Sequence, residues 1–344
     1  MDENLNPETD NKPEIPVCPN CNSTDILHGY PMPLCHDCRA KLINYPIPLW
    51  VKLFGAGICI VLIISLIWLP KNLTAAISLS RAEKAEKNLD FVTSQRELEK
   101  ALKIVPTSVD ILEHLMIASY YNNDLLTLND ASIKLQNKPI EDTAIYNKLS
   151  YIIDETKLYA PSDTFAKTFQ QYKDGIVPDA ALSDYVSKNP SDIFAMYSLA
   201  SSYDDKKQYK AADSLLSKVL TIDNEFIPAI NFKTKIKRAI DQPDSSIFYC
   251  NRILALNRQS VYGISAKART LLKIGKKQEG LNLAKQGYQL DKNMTYNLAT
   301  LAIAYHLNND LKARDAIIKT TDKDTTTAYY MNFAKDFISN KATL

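Results

Sequence analysis

A 34-residue period in the last two-thirds of this 344-residue chain constrains its fold more than any other feature. Three sets of positions, which we call ladders, repeat at this period. The first carries small residues, the second carries large apolar residues three positions later, and the third is filled in every repeat. The ladders are Ala166, Ala200, Ala268 and Ala302; Phe169, Tyr203, Leu271 and Tyr305; and Leu182, Leu216, Cys250, Ala284 and Ile318. A small residue lets two helices approach closely, and a large one fills the groove beside them. The period therefore predicts stacked helix pairs over residues 72–344, with a generic helical bundle as the alternative.

The best-formed repeat, residues 199–223, resembles the tetratricopeptide repeat (TPR) pattern of an L-A-x-x-Y segment followed by Y-x-x-A-x-x-x-L. The resemblance implies an all-α, TPR-like α-solenoid. We count about six to seven helix pairs, with residues 325–340 as a final capping helix. Thr234 and Lys237 occupy two ladder positions of the repeat that begins near Ile227, so we expect its first helix to have slipped out of register.

The TPR resemblance also implies that the first helix of each repeat lines a concave groove. Carried onto this sequence, its groove positions predict the following partner-binding residues: Tyr197, Asn231, Lys235, Arg238, Tyr262, Arg269, Lys273 and Tyr296. Aromatic rings with cations suit an extended peptide that carries acidic residues or a free carboxylate. In some TPR proteins a clamp that binds chaperone tails has Lys and Asn at the positions of Tyr197 and Ser201. The sequence therefore does not support a chaperone tail as the ligand. A solvated helix face is the alternative for each residue.

Four of the six cysteines form two C-x-x-C pairs, Cys18 with Cys21 and Cys35 with Cys38, which are separated by the segment 22–34. Two turns that each present two thiolates complete a closed tetrahedral zinc site, which predicts a structural Zn²⁺. Residues 17–46 are too few to build a core without help, so metal binding would supply their folding free energy.

The cysteine module resembles a zinc ribbon, although Asn22 and Arg39 stand where ribbon turns often carry Gly. Asn tolerates the left-handed conformation of such a turn. Two disulfides are the alternative, which would require an oxidising compartment. His28 and His36 are predicted to be solvated, because four cysteines already complete the site.

Residues 47–70 contain an apolar run without charge from Leu53 to Leu69, which predicts a single transmembrane helix. Trp50 and Trp68 lie 18 positions apart, or about 27 Å along a helix, as expected of two interfacial anchors. A buried core helix is the alternative, and a cleaved signal peptide is disfavoured by the residues that precede the run. The acidic residues 1–16 predict a disordered tail.

One membrane span would place the cysteine module and the repeats on opposite sides of the membrane. Zinc thiolates belong in a reducing cytosol, whereas the nearly tied Lys and Arg counts lean weakly the other way. The cysteine chemistry therefore predicts a cytoplasmic N-terminus and repeats outside the cytoplasm. The whole arrangement resembles bacterial inner-membrane proteins that join a short zinc ribbon, one span and a TPR array.

The composition and motifs exclude several functional classes. The net charge of +2 argues against a strongly basic nucleic-acid binder. The sequence contains no phosphate-binding glycine loop and no H-E-x-x-H or G-x-S-x-G motif, and Cys250 lies on a predicted core ladder. We therefore predict no catalytic residues, and a non-enzymatic, membrane-tethered scaffold that binds a protein or peptide. A transmembrane regulator that couples the repeats to the ribbon is the alternative, and a hydrolase or transferase hidden among the helices is a second.

Overall fold

A computed structural model describes residues 16–43, 47–172, 176–321 and 328–344, with the side chains of residues 43, 66–71, 321 and 328 left out. These described residues form seventeen α-helices and no strand. The chain divides into two compact units, Met1–Leu69 and Pro70–Leu344. The predicted all-α class is confirmed.

The first unit contains α1 (His36–Ile43) and the beginning of α2 (Leu49–Lys87). Over the part of the chain that the structure describes, no helix is both long and apolar enough to cross a membrane. The predicted span, residues 47–70, ends among side chains that lie outside the described residues, including that of Trp68. Leu53, Phe54 and most other described apolar side chains of this stretch are exposed. The predicted tail lies almost wholly in residues 1–15, which are also outside the described residues.

The second unit begins within α2 and continues through helices that are mostly joined by short turns. Its first half contains α3 (Phe91–Ile104), α4 (Val109–Asn122), α5 (Leu125–Leu135), α6 (Thr143–Lys157), α7 (Asp163–Phe169) and α8 (Asp179–Lys188). Its second half contains α9 (Ile193–Asp205), α10 (Tyr209–Ile222), α11 (Ile227–Ala239), α12 (Pro243–Leu256), α13 (Val261–Lys273), α14 (Lys277–Leu290), α15 (Thr295–Leu307), α16 (Leu311–Thr321) and α17 (Ala328–Ile338).

The second half keeps a strict register with the period seen in the sequence. The helices α9, α11, α13 and α15 begin at residues 193, 227, 261 and 295, and each packs against the helix that follows it. The turns inside these pairs place a residue with positive φ at the same position each time: Lys207, Asp241, Gly275 and Asn309. Each turn reverses the chain within a few residues, and a left-handed residue at that point ends the helix.

The predicted slip of the repeat that begins near Ile227 is wrong, because α11 starts and ends in register. Thr234 is fully buried at the position that alanine fills in neighbouring repeats. Its hydroxyl donates to the backbone oxygen of Asn231 at 2.7 Å, so the polar group is satisfied inside the core. The aliphatic stem of Lys237 replaces a large apolar residue, and its ammonium group pairs with Asp213 at 2.8 Å.

The first half of the repeat unit is less regular. The helices α3 and α5 begin one period apart, as do α4 and α6, whereas the interval from the start of α6 to the start of α9 is well longer than one period and shorter than two. The short helix α7 falls within this interval, where Ala166 is exposed and only Phe169 of the predicted ladder pair is buried. The capping helix predicted over residues 325–340 appears as α17, and residues 325–327 lie outside the described residues.

Hydrogen bonds connect the first helices of this unit to the turn between α12 and α13. The backbone N–H of Arg258 donates to the carbonyl of Leu89 at 2.9 Å, and that of Thr93 donates to Gln259 Oε1 at 2.8 Å. Asn257 is almost fully buried and donates through Nδ2 to the carbonyl of Tyr121 at 3.1 Å. Repeats that are far apart in sequence are therefore in direct contact.

Candidate functional site

The first candidate site is the cluster of the four predicted cysteines. The Sγ atoms of Cys18, Cys21, Cys35 and Cys38 all lie within 4.8 Å of one another, and they form no disulfide. Three of the four residues are buried, while Cys21 is exposed. Each thiolate bound to a zinc ion would lie about 2.3 Å from the metal. The four sulfur atoms would therefore need to move only slightly closer together to bind one zinc ion. Among the described residues this is the one group of metal-ligating side chains of that size, and His28 and His36 are not part of it.

The two cysteine pairs are built differently. The first is a turn, in which the N–H of Asn22 donates to the carbonyl of Cys18 at 2.8 Å and Asn22 adopts the predicted left-handed conformation, with a φ of 57°. The second opens helix α1, where the N–H of Cys38 lies 3.5 Å from the Sγ of Cys35. Arg39 is therefore helical and needs no glycine-like turn. The two matching turns expected of a ribbon are not observed in this module.

The electrostatics of the cluster favour a cation. Backbone hydrogen bonds, above all one from Cys35, lower the pKa of the Cys18 thiol to about 6. The N–H of Ser23 lowers the pKa of Cys21, but the neighbouring thiols outweigh it and raise that pKa to about 12. Several thiolates cannot ionise side by side without a compensating positive charge. A divalent metal would provide that charge, so the donor set fits a zinc ion.

The second candidate site, which we call the concave cavity, has a volume of about 540 Å³ and lies in the repeat unit. Seven of the eight predicted partner-binding residues line it: Tyr197, Asn231, Lys235, Arg238, Tyr262, Arg269 and Tyr296. They come from the first helices α9, α11, α13 and α15, whose shared register places equivalent positions on one face. The eighth residue, Lys273, does not line the cavity. Its Nζ donates to the backbone oxygen of Arg238 at 2.6 Å.

Stacked aromatic rings form one wall of the concave cavity. The rings of Tyr262 and Tyr296 stack with centroids 4.8 Å apart, and Tyr330 meets Tyr296 edge-on at 5.1 Å. The guanidinium of Arg269 lies 4.1 Å from the Tyr296 ring centroid and 5.3 Å from that of Phe333, so it makes cation–π contacts with both. The cavity thus combines π-faces with positive charge.

The predicted lysines and arginines are only partly available to a ligand. Lys235 forms an ion pair with Asp204, which lines the same cavity. Lys273 lies 3.6 Å from Asp241. Arg238 and Arg269 form no ion pair among the described residues.

Sequence reasoning missed the contribution of α17. Tyr330 and Phe333 line the concave cavity, although residues 325–340 were expected only to cap the array. The signal was present, because Tyr330 lies one repeat period after Tyr296. A second cavity of about 500 Å³, the aromatic pocket, was also missed. It adjoins the concave cavity through shared lining residues, including Tyr197 and Ser201, and is otherwise lined by Phe194, Phe226 and other mostly apolar residues.

The helix register defines the class of this protein as an all-helical, TPR-like repeat protein. No family model matches its sequence, and neither does any curated protein. Solved structures with which it shares helical architecture include a tetratricopeptide repeat protein from Parabacteroides merdae, at 13% identity and a TM-score of 0.41, covering 78% of this chain and 99% of that chain.

Two further solved structures are also similar in part. YrrB, described as a TPR protein with an unusual peptide-binding site, shows 17% identity and a TM-score of 0.36 over 53% of this chain and 96% of its own. MamA shows 14% identity and a TM-score of 0.36 over 55% of this chain and 97% of its own. All three TM-scores are below 0.5, so the class depends on the register of this chain's own helices.

Proposed function

We propose that this protein is a non-enzymatic scaffold that binds an extended segment of a partner protein in the concave cavity. The observation that carries the proposal is the convergence of seven predicted residues from four helices on one cavity. Aromatic faces and arginines are the side chains that contribute most to binding at protein interfaces. The cavity is lined by groups that would contact both the backbone and the side chains of a peptide.

Photo-crosslinking in native membranes tests this proposal. A photo-reactive amino acid at Ser201, which lines both cavities, is expected to give a discrete crosslinked product. The same amino acid at Phe248, an exposed position on α12 outside these cavities, is the matched control and is expected to give none. Identical products from both positions would contradict binding in the cavity.

We further propose that Cys18, Cys21, Cys35 and Cys38 hold one structural zinc ion. The proposal is supported by the proximity of four unpaired thiols in a segment with little other core. Four cysteines leave no open coordination position, so the metal would stabilise the module and not act on a substrate.

Metal analysis of the purified full chain is expected to find about one zinc per chain. The double variant Cys18→Ser, Cys35→Ser should lose the metal, because it removes one ligand from each pair. Cys59→Ser, a change at an exposed cysteine of α2, should retain it. Absence of zinc, together with four fewer titratable thiols than the six cysteines of the sequence, would favour the disulfide alternative.

Attachment to the bacterial inner membrane stays a prediction of the sequence, and we propose it on the apolar run of residues 47–70. The double variant Ile60→Arg, Ile64→Arg is expected to move the protein from the membrane fraction to the carbonate-extractable fraction. Leu126→Arg, at an exposed apolar residue of α5, is the control. Extraction of the wild type by carbonate would overturn the proposed span.

We propose a cytoplasmic N-terminus and repeats outside the cytoplasm, because a thiolate site requires a reducing compartment. Protease treatment of spheroplasts is expected to digest the repeats and to spare an N-terminal epitope. The opposite pattern of digestion would reverse the orientation.

A further inference from the structure

Two guanidinium groups in the concave cavity lack a carboxylate partner among the described residues. Arg238 is 6% exposed and Arg269 is 4% exposed. Arg238 Nη1 reaches only the carbonyl of Ala266, at 3.5 Å. Arg269 donates through Nε to Thr300 Oγ1 at 2.8 Å and through Nη2 to the carbonyl of Tyr296 at 3.4 Å. Neutral acceptors therefore satisfy some donors of each arginine, and neither guanidinium is paired with a carboxylate of the described residues.

The two arginines act on each other across the cavity. Burial lowers the pKa of Arg269, and the positive charge of Arg238 acts in the same direction. Two like charges that share a site from which water is largely removed are unfavourable unless an anion joins them. The cavity therefore has an unmet preference for negative charge between α11 and α13.

Three other buried polar atoms in the concave cavity have no hydrogen-bond partner. They are the hydroxyl of Tyr296, which is 4% exposed, Oδ1 of Asn231 and Oδ1 of Asp204. Buried polar atoms are nearly always paired, so each is an expected contact of a ligand. The hydroxyl can donate to an anion, whereas Asn231 Oδ1 can accept from an N–H group.

The remaining charges of the concave cavity do not supply the missing anion. Asp204 is already paired with Lys235, and Asp205 is exposed at the end of α9. Neither aspartate forms an ion pair with an arginine within the described ranges. These carboxylates would favour the electropositive or N–H-rich part of a ligand.

We infer that Arg238, Arg269 and the Tyr296 hydroxyl form a binding site for a carboxylate group of the partner polypeptide, an inference that rests on the proposed function. Asn231 accepts from the N–H of the peptide bond next to that carboxylate. The aromatic pocket takes an apolar side chain further along the same peptide, since it adjoins the concave cavity. The carboxylate is either the C-terminus of the partner or an Asp or Glu side chain.

Three pentapeptides, titrated calorimetrically into the full chain in detergent micelles, separate these sources. The first is Gly-Phe-Ala-Ala-Leu with a free carboxylate, the second is its C-terminal amide, and the third is the amide with Asp in place of Leu. We expect at least one of the two carboxylate peptides to bind at least tenfold more tightly than the amide, because charge-assisted hydrogen bonds are lost with the carboxylate. Tighter binding of the first peptide identifies a C-terminus, and tighter binding of the third identifies an acidic side chain.

Variants locate the site. Arg238→Gln and Arg269→Gln should each weaken carboxylate binding by about tenfold or more while leaving the affinity of the amide unchanged. Arg269→Lys should recover only part of the loss, because it keeps the charge without the planar fork. Lys267→Gln, on the same helix α13, is the matched control, since its ammonium group is bound to Asn251 at 2.9 Å and does not line the cavity.

Equal affinities of all three peptides would overturn the inference, as would no binding of either carboxylate peptide at millimolar concentration. The comparison of acid with amide uses the wild-type chain and does not depend on the folding of any variant. The outcome is separable from that of the proposed function, because crosslinking at Ser201 detects a partner in the cavity whether or not a carboxylate is recognised.

Discussion

Buried hydroxyl groups keep the repeat that contains Thr234 in register. Ser246 Oγ donates to the carbonyl of Thr234 at 2.8 Å and lies 2.8 Å from Thr270 Oγ1. Thr270 in turn donates to the carbonyl of Ala266 at 3.0 Å. Because every hydroxyl has a partner, Thr234 packs where the sequence pattern called for a small apolar residue. The expectation of a slipped helix failed because ladder positions were judged by polarity alone.

Glu155 and Asp223 form a carboxyl pair on α6 and at the end of α10. Glu155 Oε2, Asp223 Oδ2 and the nearby Tyr159 hydroxyl are buried without a hydrogen-bond partner. Burial, followed by the nearby carboxylate of Asp223 and its negative charge, raises the pKa of Glu155 to about 7. Glu155 therefore keeps its proton in the folded state at pH values where the unfolded chain, with the ordinary glutamate pKa of 4.5, has already released it.

The pH dependence of stability follows from this pair. A raised carboxyl pKa means that the folded state binds more protons, so stability falls as pH rises from about 4.5 to about 7. Glu155→Gln, which imitates the protonated form, should remove this decline and add about 1 kcal/mol at pH 8 after allowance for solvent screening. Urea unfolding at several pH values measures it, with the exposed Glu279→Gln as control. An unchanged pH profile in Glu155→Gln would contradict the assignment.

At the scale of elements, close approach between α13 and α14 depends on a glycine. A Cβ atom at Gly280 would lie 2.6 Å from Leu272 Cγ and 3.1 Å from the carbonyl oxygen of Ala268. Both neighbours belong to α13, and Leu272 is buried there. The space between these helices is therefore filled without any side chain at position 280.

Gly280→Ala should destabilise the repeat unit. Overpacking costs about 1–3 kcal/mol, which exceeds the gain of about 1 kcal/mol in helix propensity. A double-mutant cycle with Leu272→Ala measures the clash directly, because the alanine at 280 should cost less once the leucine is gone. Equal costs in the two backgrounds would show that Leu272 is not the obstacle.

The sequence predicted the elements that repeat and missed those that depart from repetition. The ladders located α9–α16 and the face that lines the concave cavity. The ladders were a weaker guide between the start of α6 at Thr143 and the start of α9 at Ile193, where Phe169 and Leu182 are buried but Ala166 is exposed. Likewise, both C-x-x-C pairs have the same spacing, yet Cys35 precedes a helix and Cys18 begins a turn, a difference that spacing alone does not encode.

At the scale of the whole repeat unit, Asn257 joins repeats that are distant in sequence. Its Nδ2 donates to the carbonyl of Tyr121 at 3.1 Å and to Asn122 Oδ1 at 2.8 Å, and the residue is 1% exposed. No periodic pattern predicts such a contact, because it depends on how small rotations between repeats accumulate along the array.

Asn257→Ala should lower the free energy of unfolding by about 1–3 kcal/mol, since it leaves two partly buried acceptors without this donor. Asn251→Ala, at an exposed residue of α12, should change the free energy of unfolding by less than about 0.5 kcal/mol. Hydrogen exchange gives a second measurement, because the Arg258 amide that donates to Leu89 should exchange faster only in Asn257→Ala. Similar effects in both variants would show that the contact contributes no specific stability.

The hydrogen bond from Arg258 to Leu89 also determines how the repeat unit would bear mechanical load. Leu89 lies just after the end of α2, so tension applied along that helix reaches the turn between α12 and α13 through a backbone hydrogen bond, without first passing through the intervening helices. Tyr262, at the start of α13 just after that turn, also lines the concave cavity together with Arg238 and Arg269. A pull on α2 would therefore strain this wall of the concave cavity before it unravels the rest of the array.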